Sequence, residues 1–271
     1  MDWTGKKVLL TGATGGFGSR LARQLSVRGA SLMLADLKFP AGFVDDITSV
    51  SNGNIHTQAC DLSTEAGCKK LVGATLKKLG QVDMIIHNAG IARSGTFENV
   101  PLDETEKVIA VNLLAPIRIT HGLHDHIQSG GMIVHISSVA GILAPAGLAS
   151  YVVSKWGIRS LGDVLDQELV GRGIRVLNIH PFFTKTAILD SPAYGADGNS
   201  GPMSPTALPS WLVADPDRVV AGMIRAMEKR KRRYLPGFMA RLSYFGSRWM
   251  PDVIHHLSRR QVKTGKHPIA R

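Results

Sequence analysis

Short apolar runs alternate with longer stretches of helical period along most of this chain. Lys7 to Thr11, Ser31 to Ala35, Ile55 to Ala59, Val82 to Ile86, Met132 to Ile136 and Arg175 to Ile179 form the runs. Most are continuous in Val, Ile, Leu or Met, which predicts strands buried on both faces of a parallel sheet. The stretches between them predict helices over about Phe17 to Arg28, Ser63 to Leu79 with Ser63 as cap, and Leu102 to about His121. Two more follow, Tyr151 to about Val170 and Pro216 to Lys229, the latter with Asp215 as cap and a proline in its first turn. Phe39 to Asn54 is poorly patterned. Asn112 falls in mid-helix with Pro116 four residues on, so a kink is expected there. Strand and helix in alternation predict an α/β fold.

The first strand runs into Thr11-Gly12-Ala13-Thr14-Gly15-Gly16-Phe17-Gly18, a Gly-rich turn that opens a helix. Glycines at 12, 16 and 18 let backbone approach a pyrophosphate, and the helix start offers free N–H groups and a positive dipole end. Asp36, with Leu37 behind it, closes the second strand where a carboxylate can take the adenosine-ribose hydroxyls. The same carboxylate repels a 2′-phosphate, so NAD is expected rather than NADP.

A second constellation follows the strand that ends at Ile136. Ser138 leaves its carboxyl end, a Gly/Pro-rich loop intervenes, and Tyr151 and Lys155 stand one turn apart on the next helix. A free tyrosine has a pKa of about 10, and a nearby ammonium favours the phenolate. Lowering that value to neutrality needs about 4 kcal/mol, within reach of a lysine and a positively charged nicotinamide together. Tyrosine could then exchange a proton with a substrate oxygen that the serine hydroxyl holds in place.

Composition narrows the class. The chain has 271 residues and two cysteines, Cys60 and Cys68, so a disulfide framework is excluded and a reducing, cytoplasmic location fits. No stretch is long and apolar enough for a membrane span, and no His/Cys/Asp cluster has metal spacing. His135 and His180, at strand ends, read as core or rim residues. The net charge of +11 is unevenly spread. Residues 1–217 are nearly neutral at −1, while residues 218–271 carry 14 Lys/Arg against Glu228 and Asp252. A neutral body bears a basic appendage.

Together these residues resemble the short-chain dehydrogenase/reductase family. The resemblance rests on Thr11-Gly12-x-x-x-Gly16-x-Gly18, Asn88-Ala89-Gly90, Asn112, Ser138, Tyr151 and Lys155 in that order, motif by motif from residue 5 to about 186. It implies one Rossmann-like, doubly wound domain with a seven-stranded parallel sheet, a nicotinamide cofactor and alcohol/carbonyl chemistry. Tyr151 is then the acid/base. Lys155 binds the nicotinamide ribose and lowers the tyrosine pKa, Ser138 orients the substrate oxygen, and Asn112 supports a relay water. Asp61 and Leu62 would meet adenine, and Thr186 the carboxamide, with Thr14, Phe17, Pro181 and Thr184 as further contacts. Pro181-Phe182-Phe183-Thr184 departs from the family's Pro-Gly pattern, so the backbone over the nicotinamide should turn differently.

Residues 1–237 are thus expected to form the dehydrogenase domain, with 187–213 a Pro/Gly-rich substrate lid. With Ile142, Leu143 and Leu148 facing the cleft, a small apolar alcohol or ketone is the expected substrate, Lys185 and Arg93 being the charges on offer. Residues 238–271 form a basic helical extension with Phe238, Leu242, Phe245 and Trp249 at helical spacing. It reads either as an amphipathic segment on an anionic membrane surface through residues 238–266, or as a tail packed on its own subunit or a partner copy. A homo-oligomer, dimer or tetramer, is expected, and nucleic acid is not, because no reader motif accompanies the charge. The alternative to an enzyme is a non-catalytic NAD-sensing scaffold that works through this tail.

Overall fold

The computed structural model describes residues 2–184, 191–195, 200–202 and 213–263. Six strands read from the sequence are present: β1 Lys7–Thr11, β2 Ser31–Asp36, β3 Ile55–Ala59, β4 Val82–His87, β5 Ile127–Ile136 and β6 Arg175–Ile179. Pro192–Tyr194 (β7) and Ser200–Pro202 (β8) pair antiparallel as a separate two-stranded element inside the expected lid. Arg233–Tyr234 (β9) supplies the seventh strand of the main sheet. The order is β3-β2-β1-β4-β5-β6-β9, and every neighbouring pair is parallel. Chain order reverses between β1 and β4, where a crevice opens at the carboxyl ends of the strands.

Helices cover both faces, so the strands must be apolar on both. Val8 and Leu10 of β1 face one layer, with Leu21 and Leu25 of α1 (Gly16–Val27) and Val220 and Met223 of α7 (Pro216–Glu228). Leu9 faces the other, with Leu71 of α3 (Glu65–Leu79) and Ile119 and Leu123 of α5 (Ala115–Leu123). Between them in sequence lie α2 (Phe43–Thr48), α4 (Leu102–Ile109) and α6 (Ala149–Glu168). The extension forms α8 (Gly237–Trp249) and α9 (Pro251–Lys263).

Three expectations change in detail. The cap of α3 is Thr64, whose hydroxyl accepts from Gly67 N at 3.0 Å, while Ser63 donates to Asp61. The kink at Asn112 takes the form of a π-helical segment, Ala110–Leu114, which joins α4 to α5. Pro116 has no N–H for the carbonyl four residues back, so a wider turn there relieves the ladder. The basic run before Tyr234 is largely structural. Arg230 donates to the carbonyl oxygens of Gly130, Gly131 and Gly173, and Arg232 and Arg233 both reach Asp163 of α6, at 3.9 and 3.6 Å.

His87 and His135 stand side by side in register on β4 and β5, with ring centroids 5.4 Å apart. Burial pushes His87 well below the usual imidazole value, His135 down to about 4 and His180 down to about 3. Their folded values lie below the unfolded one, so the unfolded chain binds these protons first. Stability should therefore be level above about pH 6.5 and fall as acid is added toward pH 4, by roughly 3 kcal/mol for His135 alone. Urea midpoints measured across that range check this, and a midpoint unchanged down to about pH 5 would refute it.

Candidate active site

The cleft is built first from backbone. Gly12 has φ +65°, and a Cβ there would lie 2.7 Å from Ala89 Cα. A Cβ on Gly18 would lie 1.9 Å from the Gly12 carbonyl oxygen. Only glycine lets the β1 turn, the start of α1 and the β4 turn approach this closely. Asn88 staples them: its Nδ2 donates to the carbonyl oxygens of Thr11 and Gly12 at 3.0 and 2.8 Å. Thr11 Oγ1 accepts from both Asn88 N and Ala89 N at 3.1 Å. Gly15 at the cap of α1 has no side chain to offer, so the first N–H groups of that helix stay available at the cleft.

Asp36 is preset by its neighbours. Thr14 N and Oγ1 both donate to its Oδ2 at 2.8 Å, and Leu37 N donates to Oδ1 at 2.7 Å. Asp61 accepts from Ser63 N and Oγ, which holds its carboxyl below the usual range. Both acids line one end of the cleft, with Leu37, Cys60 and Leu62 beside them. Burial raises the Cys60 thiol to about 11, so it is an apolar wall there.

At the other end, α6 brings Tyr151 and Lys155 beneath Ser138. Lys155 is buried, and its Nζ donates to Ile136 O at 2.9 Å and lies 5.5 Å from the Tyr151 ring centroid. The Ser138 hydroxyl accepts from Ala140 N at 3.1 Å and lies near the Tyr151 hydroxyl. Burial pushes the tyrosine up to about 12, the Ser138 hydroxyl opposing it, and brings Lys155 down to about 8. Among the protein's own groups burial is the dominant influence on the phenol, and the lowering expected of Lys155 together with a positively charged nicotinamide concerns the cofactor-bound site.

Asn112 stands behind the cleft rather than in its wall. Its Oδ1 accepts from Ile91 N at 2.9 Å, and its Nδ2 donates to Ile91 O at 2.9 Å and Ser154 Oγ at 3.1 Å. It pins the loop after β4 to α6, and with it Gly90, where a Cβ would meet Lys155 Nζ at 3.3 Å. Gly18 likewise packs beneath the cleft. The other expected residues, among them Gly16, Ala89, Gly90, Pro181 and Thr184, line one continuous cavity of about 540 Å³ with Tyr151 and Lys155.

Ile142 is buried away from that lining, and Arg93 is ion-paired with Glu104 at 2.5 Å, so neither is offered to a substrate. Thr186, Lys185 and most of the expected lid lie outside the described residues. Residues that no motif indicated also line the cavity: Ala92, Lys107, Val111, Pro145, Phe183 and Ser191. Lys107 lies on α4 and Val111 in the π-helical segment, the others lie in loops, and none belongs to a motif apart from Phe183, beside the Phe182 that departs from the Pro-Gly pattern.

A long cleft with N–H groups and close-packed glycines midway, a carboxylate at one end and a Ser/Tyr/Lys group at the other fits a dinucleotide and a small substrate end to end. That combination defines a dinucleotide-binding oxidoreductase acting on CH–OH groups. The family described as short chain dehydrogenase matches residues 6–193, and the chain belongs to it. Among curated relatives, D-threitol dehydrogenase of Mycolicibacterium smegmatis is 28% identical over 226 residues, covering 81% of this chain and 85% of that protein. A short-chain dehydrogenase from Streptomyces avermitilis has the same fold with TM-score 0.77 at 24% identity, covering 97% of this chain and 98% of that one. Other solved structures with this fold, each 24% identical, hold NADH in one case and NADP in another.

Asn112→Ala should cost about 1–3 kcal/mol of stability, because it removes the partners of both backbone groups of the half-buried Ile91. Urea denaturation of the variant measures this, and an unchanged midpoint would mean that Asn112 is not a structural pin.

Proposed function

We propose that the protein interconverts a secondary alcohol and the matching ketone, or an aldehyde, of an apolar substrate, with NAD(H) as cofactor. The observation that carries this reading is that Ser138, Tyr151 and a buried Lys155 meet at the far end of a cleft whose near end is Asp36. When bound, the nicotinamide supplies or takes up the hydride. Ser138 holds the substrate oxygen, and Tyr151 gives its hydroxyl proton to that oxygen in reduction or takes it back in oxidation. Lys155 keeps a positive charge beneath the phenol. Ala92, Leu143, Leu148 and Phe183 exclude water around the substrate carbon.

NAD over NADP rests on Asp36. Its oxygens already accept from Thr14 and Leu37, yet a carboxylate retains lone pairs for two ribose hydroxyls. Among the described residues lining the cleft, the cations are Lys107 and Lys155. Lys155 serves the opposite end, which leaves little to offset repulsion between Asp36 and a 2′-phosphate.

We also propose a homo-oligomer working at a membrane surface in the cytoplasm. Exposed Leu114 and Ile117 around the start of α5, with Leu102 on α4 and Val153 and Val164 on α6, give a second copy an apolar face. Residues 238–266 provide the basic and apolar surface for lipid.

Tyr151→Phe should abolish turnover of any alcohol or ketone found by nicotinamide absorbance, while cofactor affinity stays near the parent's. Turnover retained in that variant would sink the acid/base assignment. A parent that binds cofactor but turns over no substrate in a broad screen would favour the scaffold instead.

Asp36→Ala should weaken NAD and improve NADP, narrowing the preference. If the unchanged protein binds NADP tenfold tighter than NAD, about 1.4 kcal/mol, this reading of Asp36 fails.

A further inference from the structure

The extension is amphipathic the wrong way round for a helix that completes its own core. Phe238, Leu242, Phe245 and Trp249 of α8 are 75, 50, 58 and 77% exposed. At about 100° per residue they fall within one arc of about 60°. Ala240, fully buried, and Tyr244, half-buried, lie on the opposite side toward the body. Met250, Val253 and Leu257 continue the exposed apolar run through the turn and along α9. The inner face is fixed by specific contacts. Arg233 donates to the Tyr244 hydroxyl and stacks on its ring 4.8 Å from the centroid.

Charge is arranged around this ridge. Arg241 and Arg248 are exposed beside it on α8, which contains no Asp or Glu, and Arg259 is exposed on α9, whose acid is Asp252. A two-fold contact through the ridge would set the arginines of one copy against those of the other, with no acid from α8 between them. An anionic lipid surface meets the same arginines favourably, and its acyl boundary takes Phe, Leu and Trp. No helix among the described residues is long and apolar enough to cross a membrane, so the contact is interfacial.

From this we infer that the outer face of α8–α9 is a docking surface for anionic bilayers, with Phe238, Leu242, Phe245 and Trp249 inserted and Arg241, Arg248 and Arg259 on headgroups. This deepens the membrane reading above and rests on it. Its place in the fold gives it a use. α8 packs against the turn Val139–Gly141 that follows Ser138, and Arg159 of α6 donates to Gly141 O at 3.0 Å. The docking surface and the serine's turn therefore form one packed unit, and the substrate class is an alcohol or ketone that partitions into lipid.

The test uses the full chain and vesicles of phosphatidylcholine alone or mixed with equal phosphatidylglycerol. The parent should sediment with mixed vesicles and release only in part at high salt, because the inserted side chains are not screened. The paired variant F245E/W249E should lose at least about tenfold in partition at any salt concentration. The variant R241E/R248E should lose a similar factor on mixed vesicles and little on phosphatidylcholine. Both pairs are exposed, so each variant should keep the parent's thermal midpoint and cofactor binding. A parent that stays in the supernatant with mixed vesicles overturns the proposal. So does an F245E/W249E variant that sediments like the parent, or one whose only change is a smaller oligomer in light scattering, which assigns the ridge to a second copy. Vesicle binding without turnover would uphold the surface and overturn only the activity.

Discussion

An ammonium group kept out of water is the constraint around which the site is arranged. Burying such a charge costs several kcal/mol unless its surroundings are polar and well placed. Lys155 is 4% exposed, and Ile136 O receives it at 2.9 Å. Its neighbours are shaped to bring that carbonyl, the Ser138 turn and α6 together. A Cβ on Gly141 would lie 2.5 Å from the Lys155 carbonyl oxygen, which also accepts the Ser137 hydroxyl at 2.9 Å. Farther along α6, a Cβ on Gly162 would lie 2.4 Å from Asn178 Oδ1. Small residues seat the helix hard against β5 and β6, and the lysine has nowhere else to go. Such a charge is positioned before any substrate arrives.

What the sequence made legible is what local physics dictates. Apolar runs marked most of the six strands within a residue or two, apart from β5, which begins five residues earlier, because both faces of a parallel sheet are buried; β3, at the sheet edge, is largely polar. The Gly-rich turn and the Tyr151/Lys155 pair were legible because their spacing alone fixes their geometry. The seventh strand was not legible, since Arg233–Tyr234 has no apolar run and is set by the pairing with β6 and by Asp163. Nor was the structural side of Asn88 and Asn112, whose amide bonds go to backbone groups far away in sequence. Thr64 won the cap from Ser63 because Asp61 claims the serine hydroxyl, a competition that no single-position preference anticipates.

The basic C-terminal region divides into two populations that composition merges. Arg230, Arg232 and Arg233 meet carbonyl oxygens or Asp163 and close the sheet edge. Asp163 also lies 4.0 Å from Arg159, so one carboxylate serves three guanidinium groups and ties the β9 edge to α6. Arg241, Arg248 and Arg259 remain at the surface around an apolar ridge. Counting net charge treats these as one feature; only contacts separate the arginines that hold the fold from those that face outward.

The energetics of the Tyr151–Lys155 pair set a direction. With the phenol at about 12 and the ammonium at about 8, both groups carry their protons at neutral pH. The protein alone is therefore poised to give a proton to a carbonyl oxygen. To accept one from an alcohol, the phenol must come down to neutrality, which takes about 7 kcal/mol. The value of about 12 already includes Lys155, so the lysine does not meet this requirement by itself. Under the proposed mechanism it falls to the positive charge that an oxidised nicotinamide would bring, which would couple the base strength of Tyr151 to the form of cofactor bound.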